Sequence, residues 1–152
     1  MSEINDVDNN ASASPVLEFR FRIEAQVAPG ISIDRRAPGA LDFIPITGGS
    51  VSGAVQGKLS VGGDWCVDRG DGTWRVEARY GIALDGGGYI DVHNVGVFDE
   101  SRPDGREYFA TTPVFRTVAA EYDWLNRSVF VGRAQEFDGL ICVDVYEVLL
   151  PR

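Results

Sequence analysis

The chain has 152 residues, with 14 basic against 23 acidic side chains and a formal net charge of -9. That size suits a single domain burying roughly two-thirds of its unfolded surface, so no staple or metal is required for stability. Its negative field repels phosphate backbones and anionic lipid surfaces, which argues against nucleic acid and membrane as partners.

Residues 1–14 read MSEINDVDNNASAS, acidic and polar with no apolar signal-peptide core. They are expected to form a floppy tail ahead of a β-domain over 15–152, and no later window approaches a membrane span. Cys66 and Cys142 stand far apart and outside any CxxC pair, so they read as buried thiols in a reducing compartment. A cytoplasmic protein is the expectation.

From Leu17 to Val27 the odd positions Leu17, Phe19, Phe21, Ile23, Ala25 and Val27 are apolar and the even ones polar, which predicts a strand. Pro29-Gly30 ends it, and a short segment with Ile31 and Ile33 follows. Leu41 to Ile46 is a brief apolar run broken by Pro45, placed at a barrel edge. Val55, Gly57, Leu59 and Val61 alternate with polar residues in a half-buried strand that stops at Gly62-Gly63. Asp64 to Val67 then leads through Gly70-Asp71-Gly72 into Trp74 to Leu84. There Trp74, Val76, Ala78, Tyr80, Ile82 and Leu84 share one parity, while Arg75, Glu77, Arg79, Gly81 and Ala83 share the other.

Asp85 to Gly88 turns the chain into Tyr89 to Val95, which carries Asp91 and His93. Phe98 to Glu107 is the longest loop and is expected over a barrel mouth. Tyr108 to Thr112 and Val114 to Val118 are extended runs interrupted by Pro113, and Ala119 to Asn126 is the one helical turn, with Tyr122, Trp124 and Leu125 plugging a core. Ser128 to Arg133 and Leu140 to Leu150 complete the set. About eight to ten strands with Gly-rich turns make an all-β fold, and a single closed antiparallel β-barrel is favoured over a sandwich because closure removes exposed edges.

Familiar catalytic signatures fail. Gly53 to Lys58 lacks phosphate-loop spacing, no GxSxG elbow exists, and one histidine with two scattered cysteines cannot furnish a zinc site. Neither a metal nor a cofactor is expected. What remains is a set of polar groups on strands: Asp64, Glu77, Arg79, Asp91, His93 and Asn126. Glu77 and Arg79 form either a solvated outer ion pair or, if their parity faces a lumen, a cation beside carboxylates able to hold an anion or an enolate-like charge. His93 is either structural or a proton carrier near neutral pH. Trp65, Trp74, Trp124 and the pair Tyr108-Phe109 supply core, or the walls of a pocket for an apolar or aromatic molecule.

The series Ile44-Pro45-Ile46-Thr47-Gly48-Gly49, Gly63-Asp64-Trp65, Ala78-Arg79-Tyr80, Asn94-Val95-Gly96, Pro113-Val114-Phe115 and Trp124-Leu125-Asn126-Arg127 resembles the family catalogued as domain of unknown function 3237. The likeness runs from about Leu17 to Val148. It implies a compact antiparallel barrel similar to those of the allene oxide cyclase and lipocalin kind. By position the family's motif residues correspond to Asp64, Trp65, Arg79, Trp124 and Asn126; the chain departs in having Glu77 where the family often has Asp and in lacking a small residue before Asp64-Trp65. The family-like spacing implies that the polar parity of Trp74 to Leu84 faces inward.

Two functions follow. The first is a cofactor-independent isomerase, cyclase or lyase acting on a hydrophobic or aromatic small molecule. Asp64 or Glu77 is its general acid or base, Arg79 and Asn126 hold an oxyanion, Trp65, Tyr108 and Trp124 pack the substrate, and His93 relays protons. The second is a non-catalytic barrel that binds a small molecule, which requires the apolar parity to line the cavity. A homo-oligomer is compatible with either.

Overall fold

The structure, a computed structural model, describes residues 13–151. The expected tail over residues 1–14 lies outside them apart from Ala13 and Ser14. Ten strands form one antiparallel sheet: β1 (Val16–Val27), β2 (Ile31–Asp34), β3 (Leu41–Gly53), β4 (Gly57–Leu59), β5 (Gly62–Asp68), β6 (Thr73–Leu84), β7 (Tyr89–Asp99), β8 (Tyr108–Arg116), β9 (Phe130–Phe137) and β10 (Leu140–Leu149). A 3₁₀ segment, Ala120–Asn126, joins β8 to β9. Pairing runs β1-β10-β9-β8-β7-β6-β4-β3-β2, β5 pairs with both β3 and β6, and β1 pairs with β3 as well as with β10.

One strand can serve two neighbours only if it bends. In β3, Leu41 to Ile46 pair with β5, while Ile46 to Gly53 pair with β1, with a register shift opposite Gln26 and Val27. Gly49 makes the bend possible: at φ 143 it lies against the Glu24 carbonyl, which a Cβ would meet at 2.1 Å. The run Leu41 to Ile46 is therefore the first half of a 13-residue strand rather than a brief edge segment. Pro45 is tolerated because its carbonyl accepts from Ala28 N–H at 3.0 Å, so its missing N–H faces the link between β1 and β2.

Other departures have equally local causes. A register shift between Phe19 and Phe21 flips the parity of β1, so Phe21 and Ile23 are buried while Leu17 and Phe19 lie half-exposed on the outer face. Phe19 packs there edge-on against Tyr146, ring centroids 5.7 Å apart. Val61 falls between β4 and β5 and is exposed. Pro113 does not split its segment: β8 runs through it, opposite Asn94, because β8 pairs with β9 only at Ala110 and Thr111. Although nine and eight residues long, β8 and β9 thus share two paired positions.

The core gathers at one end of the inner face. Phe115 lies 5.5 Å from Phe21 and 5.3 Å from Phe130, and Trp124, carried by the 3₁₀ segment, lies 5.8 Å from Phe130. Leu125 is buried beside them. The segment is the plug anticipated from Tyr122, Trp124 and Leu125. Replacing Phe130, which is fully buried at the centre of this cluster, by Ala should cost about 3–5 kcal/mol. Urea unfolding with an unchanged m-value measures this; a loss below about 1 kcal/mol would mean the plug does not carry the core.

Candidate functional site

Toward the other end of the strands the inner face opens into a cavity of about 640 Å³. Its walls come from β1, β3 and β5 to β10, and the loop after β7 contributes Glu100 and Glu107. The space exists because inward positions there are small, Ala25, Ala78 and Ala134, where the other end carries Phe. From β6 the wall receives Trp74, Val76, Ala78 and Tyr80. The apolar parity of this strand lines the cavity, and the inward polar parity implied by the family-like spacing is corrected.

Register sets the polar groups of the wall in rows. Asp64 on β5 pairs across Ala78 on β6 with Asn94 on β7, so two polar side chains flank one methyl group. In the next row Gly96 and Gly132 flank Thr111. A Cβ on Gly132 would come within 2.3 Å of Thr111 Oγ1, and one on Gly96 within 2.6 Å of its methyl carbon; two absent side chains make room for Thr111. Among the described residues, Asp64 Oδ1, Asn94 Oδ1 and Thr111 Oγ1 are the buried side-chain atoms without a hydrogen-bond partner. All three belong to side chains lining the cavity. Buried polar atoms are nearly always paired, so three orphans on one wall set it apart from the rest of the interior.

Burial raises the Asp64 carboxyl above its ordinary value; the Glu77 backbone N–H and the Cys66 thiol pull the other way, but less. Burial, with Asp64 beside it, pushes the Cys66 thiol up to about 12, so it stays protonated. The Tyr80 phenol is raised too, by burial first and by Asp64 second. The wall thus holds a carboxyl able to gain and lose a proton closer to neutrality, next to a thiol and a phenol that keep theirs.

The other residues singled out from sequence lie elsewhere. Glu77, Arg79 and His93 occupy the outer face of β6 and β7. There His93 Nε2 stands 2.8 Å from Glu77 Oε2, Arg75 donates to Glu77 at 3.2 Å, and Arg79 pairs with Asp91 at 3.1 Å. The hydrogen bond with His93, then that from Arg75, holds the Glu77 carboxyl below its usual range. Trp65 lies on the outer face against Phe43, ring centroids 5.0 Å apart. Tyr108 is exposed under the Arg102 guanidinium, 4.1 Å from its ring. Trp124 sits in the plug. Asn126 clamps the end of β8, accepting from Thr117 N–H at 3.0 Å and donating to its carbonyl at 2.8 Å. Of the eight candidate side chains only Asp64 lines the cavity. The geometry adds Asn94, Thr111, Tyr80 and Cys66, and the signal for Asn94 was a polar residue inside the apolar parity Ile90, Val92, Phe98 of β7.

Among the described residues no three His, Cys, Asp or Glu side chains gather closely enough to hold a metal ion. Nor is any helix there long and apolar enough to cross a membrane.

The raised carboxyl of Asp64 predicts a pH dependence. Between the ordinary 3.8 and the raised value, the folded protein keeps a proton that the unfolded chain has released. The stability this contributes is fully present below 3.8 and is lost as pH rises through the folded value. Asp64→Asn removes that loss. The variant should melt above wild type at neutral pH, the gap closing below about pH 4. Thermal unfolding followed by circular dichroism across this range checks the sign, and a gap independent of pH would contradict it.

Comparison with known proteins agrees with this architecture. A UPF0311 protein of Rhodopseudomonas palustris, RPA1785, is 31% identical over 152 residues, covering 90% of this chain and 99% of that protein. Its crystal structure, described as a conserved protein of unknown function, matches with a TM-score of 0.82 over 91% of this chain and 100% of its own, at 29% identity. A β-barrel-like protein from Acinetobacter baumannii AYE matches at 0.81, with 25% identity over 92% and 99% of the two chains. An enzyme from Penicillium herquei shares the fold at 0.77, with 22% identity over 92% and 98%. Residues 15–148 match the family described as Protein of unknown function (DUF3237), and the chain belongs to that family.

Proposed function

We propose that the sheet closes into a barrel whose cavity binds a small apolar or aromatic molecule, and that Asp64 there serves as general acid and base of a cofactor-independent isomerase, cyclase or lyase. Support for closure is the pairing of β1 with both β10 and β3, together with the bridging of β3 and β6 by β5. The reading of the cavity is carried by one observation, the three unpartnered oxygens of Asp64, Asn94 and Thr111 among the apolar and aromatic side chains of its wall.

The chemistry follows from the neighbours. Trp74, Phe98 and Phe109 offer flat apolar surface to a substrate body. Asp64, desolvated but not ion-paired, can take a proton from carbon or oxygen and return it to another atom of the same molecule, which suffices for an isomerisation or ring closure. Asn94 and Thr111 can hold a substrate oxygen in register with it. Glu77, Arg79 and His93, on the outer face, take no part.

The apolar character of the wall also fits a second reading, a barrel that binds without catalysis. One pair of measurements separates the two. The neutral probe N-phenyl-1-naphthylamine should gain fluorescence on entering the cavity, and Ala78→Trp, which fills it, should abolish the gain. Deuterium exchange at the α-carbon of 2-tetralone, followed by NMR, should run at least about 100-fold above buffer and fall to the buffer rate in Asp64→Asn. Probe binding without exchange leaves the non-catalytic barrel. No probe binding overturns the cavity reading itself.

A further inference from the structure

The charges on the cavity wall are all of one sign. Among the described residues six carboxylates line it, Asp42, Asp64, Glu100, Glu107, Glu136 and Asp138, and no Arg, Lys or His does. An acidic chain places carboxylates on much of its surface, so their number alone decides nothing. Their pairing does. Among the described residues no carboxylate in a salt bridge lines the cavity, and none of the six that do has a cation within bridging distance. Of the arginines nearby, Arg75 pairs with Glu77 and Arg102 with Asp99 and the Tyr108 ring, while Arg106 and Arg133 line an adjoining hollow that shares Glu107, Phe109 and Ala134 with the cavity.

A second, independent feature points to the same ligand. Asn94 and Thr111 are 5% and 4% exposed, and each has an oxygen without a hydrogen-bond partner on this wall. Asp64 Oδ1 and Asn94 Oδ1 are acceptors, so what they lack is a donor. The six carboxylates do not converge as metal ligands would. Apart from Asp64 they are spread around an opening over apolar walls, an arrangement that raises the local concentration of a cation without chelating it.

We infer that the cavity takes an organic cation, an amine with an apolar or aromatic body, drawn in by the carboxylates of the mouth and donating its N–H groups to acceptors on the wall. Trp74, Phe98 and Phe109 cover the body, and anionic molecules of the same shape are turned away. This inference rests on the cavity being a small-molecule site, and its test is chosen so that the two can fail separately.

The probes are 1-naphthylmethylamine, 1-naphthalenemethanol and 1-naphthoate, which share a ring and differ in charge, titrated calorimetrically into the full chain. At about 20 mM salt the amine should bind at least about tenfold more tightly than the alcohol and the naphthoate at least about tenfold more weakly, with the spread narrowing at about 200 mM. The double variant Glu107→Gln, Glu136→Gln should reduce the preference for the amine and leave the alcohol's affinity unchanged. Ala78→Trp should remove amine binding. If the alcohol or the naphthoate binds as well as the amine, the charge inference is overturned while the cavity stands. It is overturned equally if the double variant keeps the full preference, or if the amine still binds to Ala78→Trp. If none of the three binds wild type, both readings fall together.

Discussion

Strand alternation assigns every second side chain of the pairing strands to one shared inner space, and the size of those side chains decides what that space becomes. At the end held by the 3₁₀ segment they are Phe21, Phe115 and Phe130, covered by Trp124 and Leu125 of that segment, and the space is packed. At the other they are Ala25, Ala78 and Ala134, with Gly96 and Gly132 in the same layers, and it is hollow. Filling one end repays the entropy of ordering the sheet and thereby supports an unfilled volume at the other. The site is a by-product of neither end alone.

Charge is sorted by the same alternation. Outward positions of β6 and β7 set Arg75, Glu77 and His93, and Arg79 and Asp91, within reach of one another, where water screens them and each pair contributes little to stability. Near the mouth Asp42 and Glu136 take inward strand positions, and Glu100, Glu107 and Asp138 join them from the adjoining loops, all without cationic partners. A charge left uncompensated costs stability, and the cost is smallest at an opening, where solvent still reaches it. The mouth is therefore the one part of the inner face where such a set can persist.

Much of the architecture was legible in the sequence, because a period of two and Gly-rich turns translate directly into antiparallel strands. The plug was legible from the aromatic residues of a segment with no strand pattern. What periodicity does not contain is the identity of the inner face: it groups Arg75, Glu77 and Arg79 together without saying where they point. The family-like spacing around Asp64, Arg79 and Asn126 favoured the wrong face for Arg79, since residues on opposite faces of neighbouring strands can keep the same spacing. The bulge between Phe19 and Phe21 left no mark in the alternation of Leu17 to Val27. The mouth carboxylates come from Asp42, Glu100, Glu107, Glu136 and Asp138, far apart in the chain, and only the strand register together with the loops after β7 and β9 brings them to one opening.

The short ladder between β8 and β9 has a consequence for how the molecule breathes. Ala110–Arg133 and Thr111–Gly132 alone pair these strands, and Thr111 belongs to the cavity wall. Local opening is cheapest where few pairings must be broken, and this seam, like the two-position ladder between β3 and β4, is among the least paired in the sheet. Phe109 on one lip and Ala134 on the other both face the cavity, and a parted seam exposes its interior from the side. A molecule lodged against Thr111 would bridge the two lips, so that occupancy of the interior and closure of the wall become the same event, and the protein would be most rigid when full.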